Sequence, residues 1–127
     1  MFLNISNHPS SRWSPEQLKA AQDLSGGDGI VIDVAFPNVN PAERSEMIRC
    51  IASDLIKSLN ISDRRPVAAA LVQGEFTLSF ALISILKEMR VTVVAACSER
   101  NVTEATAPDG STTKVVRFDF VQFRKYL

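Results

Sequence analysis

The side chains best suited to chemistry in this 127-residue chain fall into three short segments, Ser6–Arg12, Gln73–Thr77 and Cys97–Arg100. The first contains His8, the only histidine, whose imidazole can exchange protons near neutral pH. The third contains Arg100, and a guanidinium is suited to clamping a phosphate. Hydroxyls, amides, one imidazole and one guanidinium favour binding a phosphodiester and cleaving it without metal. In such cleavage a ribose 2′-hydroxyl attacks the neighbouring phosphorus, and the protein aligns the attack and stabilises the developing charge.

The second segment reads as the end of a strand, a turn and the start of a helix. Backbone N–H groups at such a helix start attract phosphate. Gly74 permits close approach of a ligand, and Thr77 adds a hydroxyl, so Gln73, Gly74 and Thr77 are candidates to hold a phosphate. The P-loop and dinucleotide-binding glycine patterns are both absent. Glu75 opposes an anion, and its alternatives are to cap the helix dipole or to hydrogen-bond a sugar hydroxyl.

The other candidates also have ordinary structural interpretations. His8 can be a loop histidine that caps or packs, and Arg100 can form a surface salt bridge with Glu99 or Glu104. The chain has no G-x-S-x-G pattern, which disfavours a serine or cysteine hydrolase. Missing H-x-x-x-H and C-x-x-C spacings disfavour a zinc site, and few acids in the predicted loops disfavour a two-metal nuclease. We therefore expect neither a bound metal nor a cofactor.

Strand and helix patterns alternate along the chain and then give way to a hairpin. Apolar runs predict strands, amphipathic spacing after cap-and-proline starts predicts helices, and a Pro-Asp-Gly turn predicts the hairpin. The predicted strands are 1–5, 29–34, 67–72 and 91–96, the helices are 15–24, about 40–60 and 76–89, and the hairpin strands are 102–107 and 112–120. This order predicts one α/β domain over residues 1–127, with a small Rossmann-like, mostly parallel sheet, helices on both faces and a C-terminal antiparallel β-hairpin.

Ligands bind such sheets outside the carboxyl ends of the strands. That rule selects four loops, namely Ser6–Arg12, Ala35–Val39, Gln73–Thr77 and Cys97–Arg100. The three chemistry-bearing segments are therefore expected along one edge of the sheet. The predicted third helix has a wide apolar surface, which is explained either by deep packing within the monomer or by contact with a second subunit.

Composition narrows the possible partners and locations. Fourteen basic and 14 acidic residues cancel, and the pI near 6.6 argues against a duplex DNA-binding protein. Cys50 and Cys97 lie in apolar runs, so we expect buried reduced thiols in a reducing compartment. No run of 18 apolar residues predicts a membrane span, and the N-terminus lacks a signal-peptide pattern. The expected location is the cytoplasm.

Four short blocks in the chain resemble the small standalone ring nucleases of type III CRISPR systems, whose fold is similar to the CRISPR-associated Rossmann fold. The blocks occur in matching order and span most of the chain. They are Leu3–His8 followed by Trp13–Gln17, then Leu71–Phe76, Ala96–Arg100 and Phe118–Tyr126.

The resemblance implies a homodimer that binds cyclic oligoadenylate across its two-fold axis and cleaves it without metal. Cyclic tetra-adenylate is the first candidate, and cleavage would switch off the antiviral signal. The motif residues that carry over are Asn7 and His8 at the first strand end, Gln73, Gly74 and Glu75 in the turn, and Ser98 and Arg100 near the fourth strand. Arg12 joins the ligand-binding candidates because it lies in the first loop. The family turn usually has Asp where this chain has Glu75, and often a small residue at the position of Thr77.

Two other classes of function remain open from the sequence. The same pocket would serve a sensor or sponge that binds the cyclic nucleotide without cutting it. Alternatively, the chain would be an interaction subunit that docks a partner through the apolar surface of its third helix.

Overall fold

The computed structural model describes residues 1–127 and contains five strands and three α-helices. In chain order they are β1 (Phe2–Ser6), α1 (Pro15–Asp23), β2 (Val31–Ala35), α2 (Ser45–Ser58), β3 (Ala69–Gln73), α3 (Phe76–Glu88), β4 (Thr92–Thr106) and β5 (Thr112–Lys125). A single 3-10 turn, Ser10–Arg12, lies between β1 and α1.

The five strands form one sheet in the order β2-β1-β3-β4-β5. The first four are parallel, and β5 runs antiparallel to β4. The chain moves outward from β1 to β2 and then returns to place β3 on the other side of β1. The strand order therefore reverses between β1 and β3, which is the switch point where ligands bind in doubly wound sheets. The predicted fold class, a small Rossmann-like α/β sheet with a C-terminal hairpin, is confirmed.

Side chains alternate in direction along each strand, so the core is divided between the two faces of the sheet. Leu3 and Ile5 of β1 belong to the larger core, which includes buried residues of α2 and α3. Phe2 points to the opposite face, where the smaller core includes Ala21 of α1, and Trp13 and Phe123 pack against that core. Because α1 is the only helix in this smaller core, its face of the sheet is less fully covered.

The start of α1 matches its sequence signal, whereas the start of α2 does not. The Ser14 side chain accepts a hydrogen bond from the Gln17 N–H, and Pro15 occupies the first helical position. The predicted start of α2 near Asn40 is wrong, because α2 begins at Ser45. The carbonyl and side-chain oxygens of Asn40 instead accept bonds from Glu43 and Ala42 and close a separate turn. A cap-like residue followed by proline can therefore form a turn instead of starting a helix.

Two predictions of burial are wrong for reasons of position. The strand at 29–34 was expected to be buried, but β2 lies at the edge of the sheet with only β1 beside it, and Asp33 is exposed. Cys50 is exposed because it lies on the outer side of α2, whereas Ile48 and Ala52 point to the core. Cys97 is half-buried in β4.

The predicted loop Cys97–Arg100 is also wrong, because these residues continue β4 as far as Thr106. β3 pairs with β4 only as far as Val94, and beyond this point β5 is the only strand whose backbone pairs with β4. A register shift between Cys97 and Ser98 marks the change. The polar sequence is typical of a loop, but it also suits a ribbon exposed on both faces. We call the projecting part, Ser98–Phe120, the hairpin arm.

None of the helices is long and apolar enough to cross a membrane.

Candidate functional site

A pocket of about 470 Å³ lies at the switch point, on the face of the sheet that carries α1. It is lined by residues of β1, β3, β4 and β5, of α1 and of the segment between β1 and α1. We call it the switch-point pocket. Four of the residues predicted from the sequence meet there, namely His8, Arg12, Gln73 and Ser98. Its volume lies in the range of small-molecule binding sites.

The electrostatic character of the switch-point pocket favours an anion. Arg12 and His8 line it, and no aspartate or glutamate does. Gln17, Gln73 and the hydroxyls of Ser6 and Ser98 add uncharged hydrogen-bonding groups. A guanidinium with several neutral donors and no competing carboxylate is suited to a phosphate group.

A polar network at the end of β1 fixes the backbone of His8. Asn4, of which 1% is exposed, donates from Nδ2 to the His8 carbonyl at 2.8 Å and to Asp33 Oδ1 at 2.9 Å. The Ser6 hydroxyl donates to Asn4 Oδ1 at 2.7 Å and accepts from the His8 N–H at 3.2 Å. The Asp33 carboxylate also accepts from the Ser10 N–H and hydroxyl. The peptide groups of His8 are therefore held on both sides, and the exposed residue lines the pocket.

Asn4 and Asp33 were not among the site residues predicted from the sequence. The available signal was Asn4 itself, a polar residue inside the apolar run Phe2–Ile5, since buried polar groups require partners. Asp33 had no such signal, because only the parallel pairing of β1 with β2 places it opposite Asn4.

Gln73 connects β3 to β4 where their backbone pairing has ended. Its side-chain oxygen accepts a hydrogen bond from the Ala96 N–H at 3.3 Å. It also lies opposite Ser6 in the β1–β3 register. Gln73 therefore occupies the centre of the switch point.

Gly74 is required by packing within the protein. From the sequence, we expected it to make room for a ligand. A Cβ atom at this position would lie 2.6 Å from ring atoms of the buried Phe36. Phe36 follows β2 and packs into the larger core. The glycine thus lets the turn pass over this ring.

At the start of α3, the Glu75 carboxylate takes the place that was predicted for phosphate. It accepts hydrogen bonds from the N–H groups of Thr77 and Leu78 at 3.1 and 2.8 Å, and the Thr77 hydroxyl also donates to it. The bond from the Leu78 N–H is the main cause that lowers the pKa of Glu75. The alternative of a capping Glu75 is therefore confirmed. Two N–H donors and one hydroxyl that were expected to hold phosphate are already bonded.

The remaining predicted residues lie outside the switch-point pocket. Glu75 and Thr77 line a second depression of about 530 Å³ beside α2, and Asn7 lines a third of about 270 Å³ next to Phe36. Arg100 lies on the hairpin arm, opposite Phe118 in the β4–β5 register. The structure thus brings together about half of the predicted set.

Two aromatic residues complete the switch-point pocket and carry no role in the sequence analysis. Trp13 packs edge-on against Phe2, and its buried indole N–H has no hydrogen-bond partner. Phe118 lines the pocket from β5 and is 65% exposed. Exposed aromatic rings beside cationic groups are typical of sites on which nucleic acid bases stack.

The described residues contain no group of three or more His, Cys, Asp and Glu side chains arranged to hold a metal ion.

The fold and the pocket together define a small Rossmann-like α/β protein with a polar, carboxylate-free pocket at the switch point of its sheet. Residues 1–124 match a family described as the uncharacterized protein MJ1673 family. The chain therefore belongs to that family. Neither the curated proteins nor the solved structures contain a match.

Proposed function

We propose that this protein is a metal-independent ring nuclease that binds cyclic oligoadenylate, with cyclic tetra-adenylate as the first candidate substrate. It would act in the cytoplasm as a homodimer and end the signal of a type III CRISPR antiviral response. The observation that carries the proposal is the switch-point pocket, where Arg12 and His8 meet neutral donors, the exposed Phe118 and the half-buried Trp13, with no carboxylate in the lining. The ordered sequence blocks that resemble ring nucleases supply the substrate class.

The chemistry requires alignment and charge stabilisation, which these side chains can provide. The ribose 2′-oxygen forms a bond to the adjacent phosphorus, and the bond from phosphorus to the 5′-oxygen breaks. The 2′-hydroxyl loses its proton, and the leaving 5′-oxygen gains one. Arg12 stabilises the charge on phosphate, Gln73 and Ser98 orient the ribose and phosphate, and His8 is the group able to move a proton. The products are a linear oligoadenylate with a 2′,3′-cyclic phosphate and a 5′-hydroxyl.

The size of the pocket also bears on how a ring is bound. A pocket of about 470 Å³ is too small for four nucleotides, so a ring must extend beyond one pocket. A second copy of the chain, in a homodimer, would supply the remaining contacts to the ring. An adenine base would stack on the exposed ring of Phe118.

The test is incubation of the purified protein with cyclic tri-, tetra- and hexa-adenylate in EDTA, with products identified by chromatography and mass. Linear products with a 2′,3′-cyclic phosphate support the proposal and name the substrate. Arg12→Ala and His8→Ala are each expected to reduce turnover by about 10²- to 10³-fold, the usual effect of removing one aligned stabilising group. Arg49→Ala is the matched control, because Arg49 lines the depression beside α2.

Three outcomes would contradict the proposal. Turnover within about threefold of wild type for both pocket variants would place the site elsewhere, since aligned groups contribute far more than this. Intact rings with a large thermal shift would identify a binding module that acts as a sensor or sponge. Intact rings without a shift would favour an interaction subunit, for which the exposed Phe76 and Phe80 of α3 are the relevant surface.

A further inference from the structure

The hairpin arm is a two-stranded ribbon that projects from the sheet with little support from the rest of the chain. Beyond Val94, β4 pairs only with β5, and the arm residues are mostly exposed. A two-stranded ribbon in water is only marginally stable unless another element covers one of its faces.

The register divides the arm into two unlike faces. On one face the cross-strand pairs are Arg100 with Phe118, Val102 with Val116 and Glu104 with Lys114. Val102 and Val116 are both 45% exposed, and Phe118 is 65% exposed. We call this surface the apolar arm face. It is continuous with the switch-point pocket, because Phe118 lies on both.

The opposite face of the arm has polar contacts of its own. Asp119 binds Arg117 in a 3.0 Å salt bridge and accepts a hydrogen bond from Asn101. Val115 is the large apolar residue there. The arm therefore has one polar face and one face with an apolar centre, which is typical of a sheet that is covered on one side. No element of this chain supplies that cover.

The apolar arm face is self-complementary about its middle. Arg100 lies two residues before Val102 on β4, and Glu104 lies two residues after it. On β5, Lys114 and Phe118 flank Val116 in the same way. A two-fold axis that crosses the arm at Val102 and Val116 would place Arg100 against Glu104 of the second copy. The same axis would place Phe118 against Lys114 of the second copy, where a cation–π contact is favourable.

We propose that two copies of this chain pair face to face through their apolar arm faces, about a two-fold axis at Val102 and Val116. Each arm then runs antiparallel to the other and points toward the body of the other copy. Such an isologous contact uses one patch twice and closes after two subunits.

This pairing also brings the arm tip of each copy close to the switch-point pocket of the other copy. Ser98 and Thr106 lie four residues on either side of Val102, so each is about 13 Å from it along the strand. The two-fold operation therefore places Thr106, near the arm tip of one copy, above Ser98 of the other, beside its pocket. The closure of the pocket by this tip rests on the proposed function, whereas the pairing does not.

The area of the apolar arm face indicates that the two copies would also touch outside their arms. The apolar arm face is about 30 Å long and 10 Å wide, from the rise per residue and the strand spacing. That area is smaller than the roughly 800 Å² per partner of a standard interface. Contact between each arm tip and the body of the other copy would supply the remainder.

The test is the oligomeric state of the full chain in sedimentation velocity, measured without nucleotide. Wild type is expected to sediment as a dimer, and Val116→Asp as a monomer because a carboxylate is placed at the two-fold axis. Val115→Asp is the matched control, since it makes the same change one residue away on the opposite face, and it is expected to remain dimeric.

Charge reversal tests the register of the pairing. Arg100→Glu and Glu104→Arg each place like charges together across the axis and are expected to weaken dimerisation at least tenfold at low salt. Glu104→Arg also breaks the 3.9 Å salt bridge between Glu104 and Lys114 within the arm, so Arg100→Glu is the cleaner of the two single variants. The double variant restores the opposite charges and is expected to recover most of the loss. Recovery of this kind would not follow from misfolding of either single variant.

Several results would overturn the pairing. They are a monomeric wild type, an intact dimer in Val116→Asp, equal loss in Val115→Asp, and failure of the double charge reversal to recover. Loss of the dimer on Phe80→Asp alone would assign the interface to α3 instead. Ring cleavage is measured separately, so an arm-paired dimer that leaves rings intact contradicts only the proposed function.

Discussion

Gly74 and Glu75 are adjacent residues at the edge of the sheet, and each is explained by contacts within the chain. Gly74 gives room to the Phe36 ring, and Glu75 caps α3. Both were expected to contact a ligand, because a Gly-containing turn before a helix is also how phosphate sites are built. In the structure both residues stabilise the fold. The roles of Gly74 and Glu75 can therefore be tested by stability measurements without any ligand.

Gly74→Ala is expected to destabilise the protein by about 1–3 kcal/mol, the usual cost of overpacking a core. The cause is the 2.6 Å approach of the added Cβ to the Phe36 ring, since the Gly74 backbone does not have a positive φ. Urea unfolding measures the effect. The cost should fall by at least half when Gly74→Ala is made in a Phe36→Leu background. An equal cost in both backgrounds would show that the ring is not the cause.

Glu75→Gln is expected to lower the Tm at pH 7 because the charged cap of α3 is lost. The pKa of Glu75 is lowered from 4.5 in the folded protein, chiefly by the bond from the Leu78 N–H. The charged carboxylate therefore contributes stability that is fully present above pH 4.5 and is lost as the pH falls through the lower folded pKa.

The Tm difference between wild type and Glu75→Gln should accordingly shrink as the pH falls below 4.5. Differential scanning calorimetry across this range measures it. Glu16→Gln, in the first turn of α1, is the control and should change the Tm little. A Tm difference that stays constant down to low pH would be inconsistent with a capping carboxylate.

At the scale of elements, β1 has two different faces and serves two purposes. Leu3 and Ile5 pack into the larger core, whereas Asn4 and Ser6 on the other face organise the segment that carries His8. β1 lies between β2 and β3, so its end is held by pairing on both sides. A site at the end of this strand is therefore supported by the most interior part of the sheet.

Asn4→Ala is expected to destabilise the protein by about 1–3 kcal/mol, because it removes the hydrogen bonds of a buried polar side chain and takes one bond from each of its partners. Those partners are the His8 carbonyl, Asp33 and the Ser6 hydroxyl. Chemical denaturation measures the loss, and hydrogen exchange of the His8 and Ser10 amides should accelerate. Asn7→Ala is the matched control, since Asn7 is exposed, and should change stability by less than about 0.5 kcal/mol. Similar losses in both variants would contradict the anchoring role of Asn4.

At the scale of the whole molecule, a compact body and a projecting arm depend on different interactions. The body buries β1 and β3 between helices on its two faces. The arm has only its own strand pairing and, in our inference, the arm of a second copy. The two parts should therefore differ in local stability.

Hydrogen exchange is expected to separate them. Amides of β1 and β3 should exchange most slowly in both wild type and Val116→Asp. Arm amides should exchange much faster in Val116→Asp than in wild type, because the monomer leaves the ribbon uncovered. Equal protection of the arm in the two proteins would mean that no second copy covers it.

Much of the fold could be predicted from sequence, because its signals are local. Apolar runs, three-and-four helical spacing and the Ser14–Pro15 start predict the elements of a parallel α/β sheet with a terminal hairpin. His8, Gln73 and Ser98 were placed near one edge by the rule that ligands bind outside the carboxyl ends of the strands. The position of the switch between β1 and β3 required the strand order, which the structure supplies.

Tertiary structure alone decided which of these residues meet. Burial of β2 depended on its number of neighbours in the sheet, and the strand character of Cys97–Arg100 depended on pairing with β5. Asp33, Trp13 and Phe118 joined the site area through contacts between distant segments, which no local pattern encodes. The sequence by itself determined the elements and the edge of the sheet where chemistry is expected. Packing and strand register determined the pocket, because they set which side chains share one face and which already have partners.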